Sequence, residues 1–135
     1  MIILPHSNLI NNARFVAGRL ALGNTDILCC PPPLFHCFGL VLGLLAVVTQ
    51  GGKIVYPSET FDAVAVLKAI SHEKCTALHG VPAMFDEILN CPRPDNFDCT
   101  NLRTGIIAGS PVPRHLMERL LNDLNMSEFT SSYVK

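Results

Sequence analysis

The 135-residue sequence contains no tryptophan and only two tyrosines, and charged residues make up 16% of it. Ten Lys and Arg stand against eleven Asp and Glu, and they form no basic cluster. A chain so close to neutral lacks the positive surface that attracts a phosphate backbone, so we expect no nucleic-acid partner. Hydrophobic residues make up 49% of the chain, which excludes intrinsic disorder and allows a sizeable core in one domain.

The six cysteines include no C-x-x-C pair. Because most of them lie in apolar surroundings, we interpret them as buried thiols of a reducing, intracellular compartment, not as a disulfide framework. The cytoplasm is the default location, and the peroxisome and the mitochondrion are alternatives for a complete enzyme. His36, Cys37 and Cys29 lack the separated ligand pairs of a tetrahedral zinc site, so we predict no metal site.

The longest apolar run follows three prolines in PPPLFHCFGLVLGLLAVV, residues 31–48. From Cys37 to Thr49 it has thirteen residues, whereas a helix needs about 18–20 to span a bilayer. The prolines prevent a helix from extending backwards. The sequence therefore predicts a fully buried α-helix over 37–49 and no membrane span.

Helical and strand patterns alternate along the whole chain. The predicted helices cover 6–22, 37–49, 61–74, 81–90 and 113–125, and the predicted strands cover 26–30, 53–57, 75–80, 103–110 and 128–133. Strands that alternate with helices favour an α/β fold with a mainly parallel sheet, covered by helices on both faces.

For three of these helices the sequence also predicts which side chains cap the helix or face the core. Ser7 is the predicted N-cap of the first helix. The inward side of the helix over 61–74 is predicted to carry Val64, Leu67 and Ile70. The last helix is predicted to bury a stripe of leucines at four-residue spacing, Leu116, Leu120 and Leu124.

Four predicted strands end in unusual residues, at Pro31–His36, His79–Gly80, Ala108–Pro111 and Ser132–Tyr133. Ligands of open parallel sheets bind beyond the carboxyl ends of the strands. A flat ligand could approach the backbone at Gly109, Tyr133 offers a ring to stack on, and His36 offers a donor near neutral pH. Singly, these residues favour a structural explanation, namely a packing glycine, a core tyrosine and a satisfied buried histidine. Together they favour a binding site.

Five segments in this order resemble the adenylate-forming (AMP-binding) ligases: LPHSNLINN, PPPLFHCFGLVLGLLAVVTQGGKIVYP, LHGVPAMFDEILN, LRTGIIAGSPVPRHLMERL and the closing TSSY. The resemblance covers essentially the whole chain and is strongest to the medium-chain fatty acyl-CoA synthetase branch. It implies part of the N-terminal domain of an acid-thiol ligase. In such enzymes a carboxylic acid attacks the α-phosphate of ATP, pyrophosphate leaves, and the thiol of coenzyme A takes the acyl group. The complete enzyme would also use magnesium.

The resemblance implies roles for the residues on the acid side of the site. His36 would be the catalytic residue, beside the reacting carboxylate and the adenylate. Phe35 and Phe38 would shape the entrance for the acyl chain and the thiol. Gly80 and Val81 would border the acyl tunnel.

On the nucleotide side, the resemblance implies a wall of small residues. Ala108, Gly109 and Ser110 would form this wall, against which the adenine and the acyl chain lie. Tyr133 would pack on the adenine ring.

Some parts of the family pattern are missing from this sequence. In the family, a phosphate-binding loop precedes the segment matching LPHSNL, and a Thr-Glu pair that holds magnesium follows the closing tyrosine. We therefore expect residues 1–135 to be a single partial adenylation domain, without the phosphate loop and the C-terminal lysine domain. Such a chain would be inactive alone and would self-associate through uncovered edges. The alternative is a non-catalytic remnant that binds a small molecule or serves as an interaction domain.

Overall fold

Helices and strands alternate along the computed structural model, which describes residues 2–132 of the chain. In chain order the elements are α1 (His6–Arg19), β1 (Ile27–Cys29), a π-helix (Phe38–Leu45) that continues into α2 (Ala46–Val48), β2 (Lys53–Val55), α3 (Ala63–His72), β3 (Ala77–Leu78), α4 (Pro82–Asn90), β4 (Ile106–Ala108), α5 (Arg114–Leu124) and β5 (Thr130–Ser132). Within residues 2–132, no helix has the length and apolar character needed to cross a bilayer.

All paired strands of the sheet are parallel. β1 lies between β2 and β3, and its residue Cys29 stands opposite both Val55 and Leu78. β4 pairs with β5 along its whole length. These are a three-stranded and a two-stranded sheet. Isolated bridges from Ala77 to Thr104 and from Gly80 to Ile107 place β4 beside β3, which gives the overall order β2-β1-β3-β4-β5. The predicted α/β fold with a mainly parallel sheet is confirmed.

Two clusters of buried apolar side chains cover the two faces of the sheet. One cluster holds side chains of α3, α4 and α5, and the other holds side chains of α1, the π-helix and α2. Successive strand residues belong to alternate clusters, as Leu28 and Cys29 do in β1 and Ala77 and Leu78 do in β3. This alternation follows from the two-residue period of a β-strand.

Two predictions about helix side chains are wrong. α1 begins at His6 with Pro5 as the residue before it, and no side chain caps it, so Ser7 is not the N-cap. In α3 the buried positions are Ala63, Val66, Leu67 and Ile70, while Val64 is 42% exposed. The Asp62 carboxylate accepts from the Ala65 N–H at 3.0 Å and caps the start of the helix. The buried positions form one helical face, and residue 64 lies outside it. The buried leucine stripe of α5 is confirmed.

The apolar run after the prolines also differs from its prediction as a fully buried α-helix. Most of it is a π-helix, and Leu40 and Val48 on its outer side are 37% and 55% exposed. Its inner side packs closely through glycine. A Cβ at Gly39 would collide with the carbonyl groups of Pro32 and Pro33, and one at Gly43 would lie 2.7 Å from the Cys30 Sγ.

A polar network closes the amino ends of the strands. The Thr76 hydroxyl donates to the Asp26 carboxylate at 2.6 Å, and the Arg103 guanidinium donates to both Asp26 and Glu128 at 2.9 Å. Burial alone would raise the pKa of Asp26, but hydrogen bonds from Thr76, the Gly23 N–H and Arg103 together lower it. The network therefore holds a buried carboxylate in its charged form.

The six cysteines are free thiols, of which Cys29, Cys30 and Cys75 are buried and Cys37 is exposed. Burial raises the pKa of the Cys30 thiol to about 12. A thiol with so high a pKa stays protonated and unreactive at neutral pH, which supports a structural role for Cys30.

Candidate active site

The strand exits singled out in the sequence lie at one edge of the sheet. Because the strands are parallel and Cys29 stands opposite Leu78, the chain leaves β1 and β3 at the same level. Ala108 stands opposite Ser132 in the same way at the ends of β4 and β5. Tyr133, the predicted adenine partner that follows β5, lies outside the described residues.

His36 is exposed and lies two residues before the π-helix. Its Nδ1 accepts from the Phe38 N–H at 3.1 Å. An Nδ1 that accepts a hydrogen bond carries no proton, so in the neutral ring the proton is on Nε2. The Nε2–H group therefore remains a donor, and the alternative of a satisfied buried histidine is wrong.

The structure separates the two predicted phenylalanines. Phe35 is 95% exposed, and it lines a cleft of about 510 Å³ together with Tyr56 and Met84. Phe38 is only 5% exposed and belongs to the core under α1. Phe35 is therefore open to solvent, whereas Phe38 is buried beneath the surface.

The small residues at the other exits also differ in exposure. Gly80 is buried, and a Cβ there would lie 3.0 Å from the Phe85 ring. Gly109 is exposed and has a φ of +99°, and a Cβ there would lie 3.1 Å from Val81 Cγ1. Its neighbour Ser110 is exposed as well. The structure thus brings Gly109 and Val81 together, and the positive φ is reason enough for a glycine at 109.

Part of the predicted site forms one apolar group at this edge. Phe38 and Ala108 belong to the same buried cluster, and Val81 packs against it. Phe35 and His36 are exposed, and they precede Phe38 in the segment that follows β1. Phe38, Val81 and Ala108 thus belong to one buried cluster or pack against it.

Sequence reasoning marked His79 as unusual but gave it no role. Its side chain is fully buried, its Nε2 lies 3.0 Å from the Leu42 carbonyl oxygen, and its Nδ1 accepts from the Ile106 N–H at 3.2 Å. Since Nδ1 accepts, Nε2 carries the proton and donates to Leu42. Burial lowers the pKa of His79 to about 4, so the ring is neutral. A histidine directly after a buried strand was the only available signal.

The backbone at Gly109 is uncovered at this edge of the sheet. The exposed Gly109 has no side chain to cover its backbone, so a planar ring could lie against it, with Ser110 beside it. Across residues 2–132, no three His, Cys, Asp or Glu side chains are grouped to hold a metal ion. We therefore assign no step of any reaction to a metal held by these residues.

Comparison with proteins of known family gives consistent results. The chain is 72% identical over 131 residues to the acyl-CoA ligase sidI of Aspergillus fumigatus. This alignment covers 97% of the chain and 22% of that ligase. The chain is 39% identical over 133 residues to the mitochondrial medium-chain acyl-CoA ligase ACSF2 of Danio rerio, covering 96% of the chain and 22% of the relative. The chain therefore spans about a fifth of the length of these relatives.

Solved structures and a family model agree with these relatives. The structure of the anthranilate CoA ligase AuaEII in complex with anthranoyl-AMP superposes on this chain with a TM-score of 0.85. The match covers 96% of this chain and 25% of AuaEII. With 20% identity, that likeness shows the fold alone. The model of the family described as AMP-binding enzyme matches residues 1–133. As its motifs predict, the chain belongs to the AMP-binding enzyme family.

Proposed function

We propose that this chain is part of an acyl-CoA ligase that activates a carboxylic acid with ATP and transfers the acyl group to coenzyme A. The relatives named as acyl-CoA ligases support this proposal. Because the chain spans 22% of those relatives, the groups that hold the triphosphate and magnesium would come from other parts of a complete enzyme.

The observation that carries the proposal is the exposed His36 beside the apolar group at the sheet edge. Its Nδ1 is engaged by the Phe38 N–H at 3.1 Å, which leaves the Nε2–H to donate. In adenylation, the carboxylate oxygen attacks the α-phosphorus while pyrophosphate departs. A donor already oriented toward the developing charge lowers that barrier without having to reorganise. His36 would serve as this donor.

The other residues would bind and orient the substrates. The exposed ring of Phe35 would guide the acyl chain past Gly80 and Val81, and the buried Phe38 would shape this entrance from below. The adenine and the start of the acyl chain would lie against the wall of Ala108, Gly109 and Ser110, and Tyr133 would pack on the adenine ring. Apolar contact along this path would exclude water from the reactive acyl-adenylate.

The direct test is acid-dependent exchange of pyrophosphate into ATP by the complete protein that carries this chain. We expect exchange with at least one member of a panel of aliphatic and aromatic acids, and a thioester product once coenzyme A is added. A complete protein that binds an acyl-adenylate analogue but exchanges no pyrophosphate with any acid would instead support the non-catalytic remnant. We propose an intracellular, reducing compartment for the enzyme on the basis of its cysteines.

A further inference from the structure

We propose that His79 is a positioning residue, which fixes the π-helix to the sheet and, through Phe38, holds the His36 imidazole in its donor state. The proposal rests on the proposed function only for the catalytic role of His36. The positioning itself depends on contacts in this chain.

The two ring nitrogens of His79 join two different elements. Nε2–H donates to the Leu42 carbonyl of the π-helix at 3.0 Å, and Nδ1 accepts from the Ile106 N–H of β4 at 3.2 Å. The His79 backbone N–H also donates to the Cys29 carbonyl of β1 at 3.2 Å. One buried residue therefore ties the π-helix to β1 and β4 at the edge where the candidate site lies.

Phe38 connects this tie to the active site. Its ring lies 5.7 Å from the His79 ring, measured between centroids, and is buried. Its backbone N–H donates to His36 Nδ1. A displaced Phe38 would thus lose both its contact with His79 and the hydrogen bond that keeps the His36 proton on Nε2.

The close packing around the π-helix makes its position sensitive to the hydrogen bonds of His79. At Gly39 and Gly43 it packs so closely on the chain leaving β1 that there is no room for a Cβ. Such a close contact transmits displacements because packed interiors do not deform freely. π-Helical turns are also poorly populated and need specific support from their surroundings.

A direct chemical role for His79 does not fit its environment. The side chain is 0% exposed, and both of its nitrogens are already hydrogen-bonded within the protein. An apolar residue at the end of a buried strand would avoid the cost of desolvating an imidazole. Its two bonds to separate elements account for a histidine here.

Two substitutions separate the bonds of His79. In His79→Gln the amide nitrogen can take the place of Nε2 and keep the bond to Leu42, while the acceptor for Ile106 is lost. In His79→Asn the amide oxygen can take the place of Nδ1 and keep the bond to Ile106, while the bond to the π-helix is lost. The pair is matched in chemistry, and both variants leave a cavity beside Phe38.

The measurement is amide hydrogen exchange by mass spectrometry on the complete protein, followed in residues 38–45 and, as a reference, in α4. We expect His79→Asn to speed exchange in residues 38–45 about tenfold, as for loss of a buried hydrogen bond. His79→Gln should stay within about twofold of the wild type there. If His79→Asn does not fold, His79→Leu, which keeps much of the volume and lacks both bonds, should show the same local increase.

Activity gives the second readout. We expect His79→Asn to lower the kcat of pyrophosphate exchange about tenfold with little change in the KM for ATP, and His79→Gln to restore it. Equal exchange of residues 38–45 in the two variants would overturn the proposal. Hydrogen exchange needs no turnover, so an inactive complete protein would contradict the proposed function and still leave the positioning role measurable.

Discussion

The Arg103 guanidinium donates from Nη2 to both carboxylate oxygens of Asp26 at 2.9 Å, although the two residues are 77 positions apart in the chain. The Asp26 side chain is 8% exposed and that of Arg103 29%. We expect Arg103→Ala to lower the free energy of unfolding by about 2–4 kcal/mol, because it leaves a buried carboxylate without its cation. Urea-induced unfolding followed by circular dichroism measures the change.

The control for Arg103→Ala is Arg114→Ala. Arg114 pairs with Glu118 at 3.0 Å, but its side chain is 90% exposed. Since water screens such a pair, its loss should leave the stability within experimental error of the wild type. Equal effects of the two substitutions would contradict a special role for the Asp26–Arg103 pair.

Asp26 should make the fold sensitive to acid. Its pKa lies below the ordinary value of 3.8 in the folded chain. The stability it contributes is therefore fully present above that value and is lost as the pH falls through the lowered pKa. We expect Asp26→Asn to be less stable at pH 7 and to lose less additional stability than the wild type between pH 5 and pH 2. Parallel pH profiles for the two proteins would refute this.

His79 should act in a different pH window. Its pKa is lowered from 6.5 to about 4 in the folded chain. Between these values only the unfolded chain binds the proton, so stability falls as the pH is lowered. At about 1.4 kcal/mol per pH unit, the loss from pH 6.5 to pH 4 amounts to about 3 kcal/mol. Denaturation midpoints of the wild type and His79→Gln, measured from pH 4 to pH 7, should converge toward the acid end.

Gly105 and Gly109 should differ in their tolerance of alanine. A Cβ at Gly105 would overlap the Leu78 carbonyl oxygen, whereas one at Gly109 would meet the Val81 methyl group at 3.1 Å. We expect Gly105→Ala to prevent folding or cost more than about 3 kcal/mol, and Gly109→Ala to cost about 1–2 kcal/mol. Thermal unfolding compares the two variants. A larger loss for Gly109→Ala would contradict these contacts.

Gly109→Ala also tests the nucleotide wall. If a ligand passes against this backbone, the methyl group should weaken the binding of an acyl-adenylate analogue by more than about tenfold, as for a steric block in a shaped pocket. Gly18→Ala offers the control, because Gly18 is exposed and a Cβ there would meet nothing within 4 Å. Calorimetry with the complete protein measures both affinities. Unchanged binding by Gly109→Ala would contradict a binding site against the Gly109 backbone.

His36→Ala tests the donor directly. Because the side chain is exposed, its removal should leave the melting temperature nearly unchanged. The kcat of pyrophosphate exchange in the complete protein should fall about 10²–10³-fold, the usual effect of removing one donor to a developing charge. His72→Ala, another exposed histidine at the end of α3, serves as the control. A His36→Ala variant with lower stability and full turnover would contradict the assignment.

The sequence predicted the structure correctly where the spacing of its apolar residues matched one face of a helix or strand. The leucine stripe of α5 and the alternation of strands with helices followed from spacing alone, and both are confirmed. The candidate edge could also be predicted, because parallel strands bring their exits together. Spacing could not tell Phe35 from Phe38, since two phenylalanines three positions apart give no sign of which one is buried.

Other features had no signal along the chain. In FGLVLGLL every side chain is apolar or absent, so no period distinguishes an α-helix from a π-helix. The burial of His79 depends on partners at Leu42 and Ile106, which are distant in sequence. Val64 was misassigned because its apolar character agreed with burial, although the buried face of α3 runs through Ala63, Val66, Leu67 and Ile70.

The distance between Asp26 and Arg103 along the chain also has a consequence during synthesis. β1 lies inside the sheet, yet both of its neighbours, β2 and β3, follow it in the sequence. At about 5–20 residues per second, a ribosome needs on the order of 4–15 s to pass from residue 26 to residue 103. Through that interval the Asp26 carboxylate lacks its Arg103 partner. The polar network is therefore completed late in translation, and β1 stays exposed on the nascent chain until β2 and β3 have been made.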